Sequence, residues 1–496
     1  MRGALLEGAR GNLYLRARFL ILRLLGFVYT AAFASLAWQL MPLIGSTGVT
    51  PAARFVTQLE ERLGVGQAFL ALPSIFFLDT SDTTLLAFAW IGLGLSVALL
   101  LGYASGLVLL ALWSIYLSFV HIGQVWYGYG WEIQLAETGF LAIFLVPFFD
   151  GRPRAARAPP FFALVLFRWL GFRIMLGAGL IKLRGDACWT ELSCLDTHFL
   201  TQPIPSPLSL LFHLLPPWAH RLGVLFNHLV EVGLPWLMFG PRRARAIAGL
   251  GMIAFQLTLI LSGNLSFLNW LTIVPMLACF DDGQLTRGKY VPPPVQPFRW
   301  DRRAILGAVL CTLIAALSLN PVANLWSGHQ VMNTSFDPLA LVNTYGAFGS
   351  VGKTRDELII EGTLDDPEDP EAVWKAYELP CKPGDPLRRP CFTGPFQRRL
   401  DWQIWFAAMG SIEDEPWMAN VVLKLLRGEP DIRRLFAQDP YPGKAPRAIR
   451  VERYRYDFAP LGQEAWWIRE RIGPWLPALT AEDPRLLAFV RNYGWE

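Results

Sequence analysis

The side chains with the most chemical potential gather around one stretch, 181–206, "IKLRGDACWTELSCLDTHFLTQPIPS". A long apolar run ends there in Lys182, and Asp186, Cys188, Trp189, Cys194, Asp196 and His198 follow in quick succession. A lysine at a desolvated helix end can serve as a base, although an interfacial anchor that snorkels to the headgroups is the simpler reading. Neighbouring apolar runs add Arg173, His228, Glu231 and Asn264. His228 and Glu231 stand in an H-x-x-E spacing on one helical face. No second histidine lies near, so no metal site is expected. There is no Ser–His–Asp pattern and no nucleophile elbow. "AFGSVGKT" at 347–354 mimics a P-loop, but Ala347 stands where G-x-x-x-x-G-K-[ST] requires glycine, so no nucleotide and no cofactor are expected.

What must position these residues is a lipid bilayer. Hydrophobic residues make 53% of the 496 and charged residues only 17%. Apolar runs long enough to cross a membrane recur at 19–42, 84–101, 105–121, 133–149, 161–182, 222–240, 246–262, 265–280 and 304–320, against roughly 20 residues for a crossing helix. The first reads as a retained span and not as a cleavable signal peptide. Nine spans can be tested by the positive-inside rule. Arg2, Arg10, Arg16 and Arg18, then Arg152, Arg154 and Arg157, then Arg242, Arg243 and Arg245, then Arg287, Lys289, Arg299, Arg302 and Arg303 all fall on the side of the N-terminus. The expectation is therefore a cytoplasmic N-terminus (1–18), an α-helical multi-pass membrane bundle (19–320) in contact with membrane lipids, and an outward-facing remainder. That remainder includes the connection 43–83, the loop 183–221 and a C-terminal domain (321–496). The net charge of +4 is topogenic, so no nucleic-acid partner follows from it.

Of six cysteines, Cys279 and Cys311 sit in apolar runs. Cys188 with Cys194 and Cys381 with Cys391 form two close pairs on the outer side, as disulfides do in an oxidising compartment. Ionisable groups within spans are costly, roughly 2.5–3.5 kcal/mol for a central Arg or Asp, yet Glu137, Arg168, Arg173 and Glu231 are there. At 1.5 Å per residue, Arg173 and Glu231 both lie roughly 12–15 Å below the outer surface and are expected to pair, as a register-fixing ion pair or as the floor of a polar cavity. Past residue 320 the chain reads as an α+β domain led by β-strands. "FDPLALVNTYGAF", "DELIIEGTL", "VWKAYELP" and "IRVERYRYDF" read as strands, and "DWQIWFAAMG", "PWMANVVLKLLRG" and "EAWWIRERIG" as helices.

"KLRGDACWTELSCLDTHFLTQPIPSPLSLLFHLLP", "FNHLVEVGLPWLMFG", "SGNLSFLNWLTIVPMLACFDD", "LVNTYGAFGS" and "YELPCKPGDPLRRPC" with "RRLDWQIWFAAM" resemble the lipase maturation factor family. The resemblance implies a multi-pass protein of the endoplasmic reticulum membrane with a lumenal C-terminal domain. Such proteins act as chaperones or assembly factors for dimeric secreted lipases, with no established catalytic step. It makes the two stapled loops client-facing surfaces, with Trp189, Trp402 and Trp405 as contacts or else as core. Arginine greatly outnumbers lysine and the chain ends "RNYGWE" without a retrieval tetrapeptide. Both fit a bacterial member whose outer side is the periplasm. A fainter resemblance joins "GAGLIKLRGDACW", "FNHLVEV" and "FQLTLILSGNLSFLNWLTI" to the membrane part of vitamin K-dependent gamma-carboxylase. It implies an alternative, an enzyme acting on a quinone, lipid or peptide through Lys182, with Arg173, Glu231, His228 and Asn264 around it. A transporter would call for internal repeats, and the sequence shows none.

Overall fold

The computed structural model describes residues 14–152, 158–286 and 302–495, with the side chains of Arg302 and Arg303 left out. Of the topogenic residues, Arg2, Arg10, Arg154, Arg157, Arg287, Lys289 and Arg299 lie outside the described residues. The apolar runs form α1 (Leu15–Ile44), α2 (Asp82–Leu101), α3 (Gly106–Ile122), α4 (Gly130–Ile143), α5 (Phe161–Arg184), α6 (Pro217–His228), α7 (Arg242–Ser262), α8 (Leu268–Met276), α9 (Arg302–Leu317) and α10 (Leu319–Trp326). Starts and stops follow local chemistry. Ser81 and Ser105 cap α2 and α3 by accepting from Thr84 and Val108 N–H groups, and Gly102 ends α2 in the left-handed region at φ 118°, where a side chain would be strained.

The nine expected runs differ in helix length. Among the described residues six helices are long and apolar enough to cross a membrane: 15–44, 82–101, 161–184, 217–239, 242–262 and 304–326. The remaining expected spans fall on α3, α4 and α8, of 17, 14 and 9 residues, short of the roughly 20 that a full crossing takes. Successive helix ends nevertheless separate into two groups. At one end Asp282 accepts from Leu15 and Arg16 N–H, Arg242 pairs with Asp281 at 2.6 Å, and Arg23 donates to the Leu99 carbonyl. At the other end the helices meet the C-terminal region.

Between 217 and 239 the helix is not uniform. It widens to a π turn over Leu229–Gly233 and tightens to a 3₁₀ segment over Leu234–Phe239. Pro235 explains the break, since its ring clashes with the carbonyl four residues back and it has no N–H to donate. That carbonyl belongs to Glu231. Helix α5 passes this turn so closely that a Cβ on Gly179 would stand 2.7 Å from Val232 Cγ2 and 3.0 Å from Glu231 Cβ.

The C-terminal region carries a single antiparallel sheet of order β2-β1-β3-β4, built from β1 (Arg355–Thr363), β2 (Lys375–Ala376), β3 (Ala448–Phe458) and β4 (Trp467–Leu479). Helices α11 (Arg399–Ala407) and α12 (Trp417–Leu426) complete its core, with α13 (Pro484–Asn492) packed on α12. The region is thus less strand-rich than expected. "FDPLALVNTYGAF" is an irregular strap, because the Asp337 carboxylate accepts from the Leu339, Leu341 and Val342 N–H groups and curls it. "EAWWIRERIG", expected as a helix, enters β4. Its Arg and Glu content favours helix, but Arg471 finds Glu452 across the strand pair at 2.8 Å, and sheet pairing overrides local propensity.

Replacing Gly179 by leucine should overpack the α5–π-turn contact at a cost of about 1–3 kcal/mol. The expected result is a lower melting temperature of the detergent-solubilised protein, followed by intrinsic fluorescence.

Candidate functional site

Lys182 sits near the end of α5 and is buried with Glu231 and Asn227. Its ammonium donates to both Glu231 carboxylate oxygens at 2.7 Å and to Asn227 Oδ1 at 2.9 Å, and Asn227 Nδ2 donates to Glu231 Oε2 at 2.9 Å. The π turn carries Glu231 and Gly179 admits it to α5, so backbone irregularity and a missing side chain assemble the pair. The one Nζ thus has three acceptors within reach, a full complement for an ammonium.

The expected pairing of Arg173 with Glu231 is corrected. Equal depth along two helices says nothing about azimuth, and Arg173 faces α4. Its guanidinium pairs with Glu137 and donates to the Asn343 carbonyl at 2.6 Å. Glu137 Oε2 also accepts from Tyr345 Oη at 2.7 Å and from Asn343 N and Nδ2, both at 3.1 Å. The strap 341–349 is thereby plugged into the bundle.

The stapled loop of the opening stretch closes over Lys182. Cys188 and Cys194 are bonded, with Cα atoms 4.8 Å apart, and the loop holds the Trp189 ring 4.9 Å from Lys182 Nζ, a cation–π contact. Trp189 Nε1 donates to the Phe348 carbonyl at 2.8 Å, and the Trp189 carbonyl lies 3.0 Å from His228 Nε2. His228 is thereby engaged by the stapled loop, while Glu231 is engaged by Lys182 and Asn227. Among the described residues no three His, Cys, Asp or Glu side chains converge as a metal cluster.

The second staple, Cys381–Cys391, is also formed, with Cα atoms 5.5 Å apart. Asn264, between α7 and α8, clamps its far end. Nδ2 donates to the Cys391 carbonyl at 2.8 Å, and Oδ1 accepts from Thr393 N at 2.9 Å and Gly394 N at 3.2 Å. Trp189 and Trp402 are buried, at 2% and 4% exposure, and Trp405 is half-buried with Nε1 on the Thr201 carbonyl at 3.2 Å. Of the two readings open for these indoles, Trp189 and Trp402 take the core one, and Trp405 keeps a partly accessible face.

Two further junctions escaped the sequence. Arg399, on α11, pairs with Glu132 of α4 at 2.9 Å and lies 3.6 Å from the Tyr127 ring centroid. Arg355, on β1, donates to the Leu200 and Pro203 carbonyls, both at 2.8 Å, and shares Glu357 with Lys382. All five charged groups are buried. Burial pulls the Lys382 ammonium down while Glu357 holds it up, and burial pushes the Asp401 carboxyl up against two backbone N–H donors. Nothing in "RDELIIEG" or "RRLDW" announces burial, because charged residues are ordinarily exposed. A cavity of about 330 Å³ lies at the opposite end of the bundle, lined by Phe144, Pro147, Phe162 and Leu306 among others, remote from Lys182.

Two family models cover these parts: a lipase maturation factor transmembrane domain over residues 16–287 and a lipase maturation factor C-terminal domain over 341–477. The chain belongs to the lipase maturation factor family. It is 46% identical to mouse lipase maturation factor 1 over 96% of this chain and 89% of the relative, and 43% identical to the human protein over 96% and 90%. Rat lipase maturation factor 2 is 30% identical over 94% and 83%. No solved structure gives a significant match. In this member, the junctions between the two family domains are the ion-paired anchors just described.

Arg399→Met should cost about 3–5 kcal/mol by leaving Glu132 buried and unpaired. The double variant with Glu132→Leu should recover most of that loss, which a double-mutant cycle on thermal unfolding reads directly. A second expectation concerns His198 in the outer loop. Burial, and then the nearby Lys182 charge, lower its pKa from 6.5 to about 4. A histidine with a depressed folded pKa binds protons first when unfolded, so stability is full above pH 6.5 and falls as pH drops toward 4. The loss should reach on the order of 3 kcal/mol, and His198→Gln should shrink it in melting curves taken across that range.

Proposed function

We propose that this chain is a membrane-bound maturation factor that brings a secreted lipase to its active fold, acting as a chaperone or assembly platform. The observation that carries the reading is identity of 43–46% with lipase maturation factor 1 proteins across both domains and nearly the whole chain. By family resemblance we assign the protein to the endoplasmic reticulum membrane. There the N-terminus is cytosolic, the chain crosses nine times, and 321–496 together with the loop 183–221 lies in the lumen. Two disulfides on that side and the separation of alternate helix ends support this topology. The reported relatives are vertebrate proteins, and the periplasmic alternative gains no support from them.

The stapled loops supply the surface for a client. Leu387, Arg389 and Phe392 are exposed in and beside the Cys381–Cys391 loop, a better client face than the buried indoles. The enzyme alternative is not favoured, since Lys182 is fully engaged by Glu231 and Asn227.

The test is co-expression with a dimeric secreted lipase in cells lacking endogenous maturation factors, reading lipase activity in the medium. The intact chain should restore activity. A charge-free core, Lys182→Met with Glu231→Leu, should keep at least half of it, whereas loss to background at normal protein level would favour chemistry at Lys182. Leu387→Asp with Phe392→Asp should lower it several-fold while the factor itself accumulates normally.

A further inference from the structure

The connection between α1 and α2 makes an excursion that ordinary loops do not. From Leu63 through Leu78, "LGVGQAFLALPSIFFL", there is not one Asp, Glu, Lys, Arg or His, while Glu60, Glu61 and Arg62 precede the stretch and Asp79 follows it. The stretch is too short and too broken to cross. One short helix ends at Leu63, a second runs only over Val65–Ala71, and Gly64 between them sits at φ 79°. The two ends of the whole connection from α1 to α2 are also clamped together. Ser46, just past α1, donates its N–H to Asp82 Oδ1 at 2.8 Å and its hydroxyl to Oδ2 at 2.5 Å, and Asp82 opens α2. A segment clamped at both ends to one level leaves and returns on the same side.

How deep it goes can be read from its neighbours. The Pro73 carbonyl lies 2.8 Å from His121 Nδ1, Ser74 Oγ donates to the Ser118 carbonyl at 3.2 Å, and Ile75 N donates to Ser118 Oγ at 3.1 Å. Phe76 packs at 4.6 Å on Phe119 and 5.8 Å on Phe88. Ser118 stands four residues before the end of α3 and Phe88 six residues into α2, so at 1.5 Å per residue the segment dips about 6–9 Å below the helix ends. Amphipathic elements that lie in a membrane interface bury their apolar face to about 5–10 Å. On the outside of this excursion Leu78 is 92% exposed and Leu70 63%, with Val65 and Phe69 beside them. Farther along α2, Trp90 and Ile91 are exposed as well.

We infer that residues 63–78 form an interfacial anchor immersed in the leaflet on the side of the C-terminal region, with Leu70 and Leu78 against lipid. The occupant is lipid, because the segment packs below the helix ends, leads directly into a spanning helix with exposed apolar side chains and bears no charge that a protein partner could read. The helix before it is tied to the chain's end by Arg54 on the Gly494 carbonyl and Gln58 on the Tyr493 carbonyl. The anchor therefore also sets the height of the last helix, α13, above the membrane. The inference goes beyond the lipase role and needs only that α2 and α3 enter the bilayer.

The experiment uses the full chain in phosphatidylcholine nanodiscs, with Cys279 and Cys311 replaced by alanine and a nitroxide placed at Leu70→Cys or Leu78→Cys. Collision with oxygen and with a water-soluble nickel chelate is measured, with Ile91→Cys as the mid-helix reference and Glu464→Cys as the aqueous one. Labels at 70 and 78 should meet oxygen readily and nickel poorly, reading between the two references at about 5–10 Å depth. A water-like response at both sites would overturn the inference. Shielding from both reagents would overturn it too, by showing a protein cover. A water-like response at Ile91 would remove the crossing of α2 along with the anchor, so the two failures are distinguishable. Both side chains touch little protein, and Val65→Cys replaces either label that disturbs folding.

Discussion

A charge taken out of water must find its opposite, or a set of dipoles, within hydrogen-bond reach. Lys182, Arg173, Arg355, Lys382 and Arg399 are all buried here, and each is answered by a carboxylate. Three of these sets bind the C-terminal region to the bundle: Glu137 with the strap at 343–345, Glu132 with Arg399, and Arg355 with the carbonyls of the outer loop. Apolar packing between the regions would tolerate sliding. Paired and hydrogen-bonded ions do not, because a shift of a residue leaves a bare charge. The geometry of the whole chain follows from that intolerance.

The same constraint explains the local irregularities. The π turn ahead of Pro235 and the bare backbone at Gly179 lower the cost of bringing Glu231 to Lys182. Asn264 carries no charge and behaves as a splint, reading the backbone of the second staple with both ends of its amide. Both disulfides lie beside these contacts. The staples thus hold short loops in the conformations that the ion pairs require.

Much of this was legible in the residue order. Each expected apolar run contains a helix, both cysteine pairs are bonded, and β1 and β3 lie where short branched runs flanked by turn residues put them. The false P-loop is simply a bend whose Gly349 carbonyl accepts from Asp186 N–H. What was not legible depends on distance in the chain. Depth ranked Arg173 with Glu231, but azimuth joined Arg173 to Glu137. The helical look of "EAWWIRERIG" gave way to β3, a partner that only tertiary structure supplies. Arg399 and Arg355 look like surface residues until their acceptors, from quite other parts of the chain, are in place.

The pairing of Glu132 with Arg399 spans 267 residues, and that separation has a meaning in time. A ribosome adding about 5–20 residues per second delivers Arg399 roughly ten to fifty seconds after Glu132. For that interval Glu132 has the Tyr116 hydroxyl but no arginine to meet it, and a buried carboxylate without its cation is costly. The helices made first are therefore completed by the residues made near the end. Any chain that stops short carries an open, polar defect in its membrane part, a mark by which unfinished copies differ from finished ones.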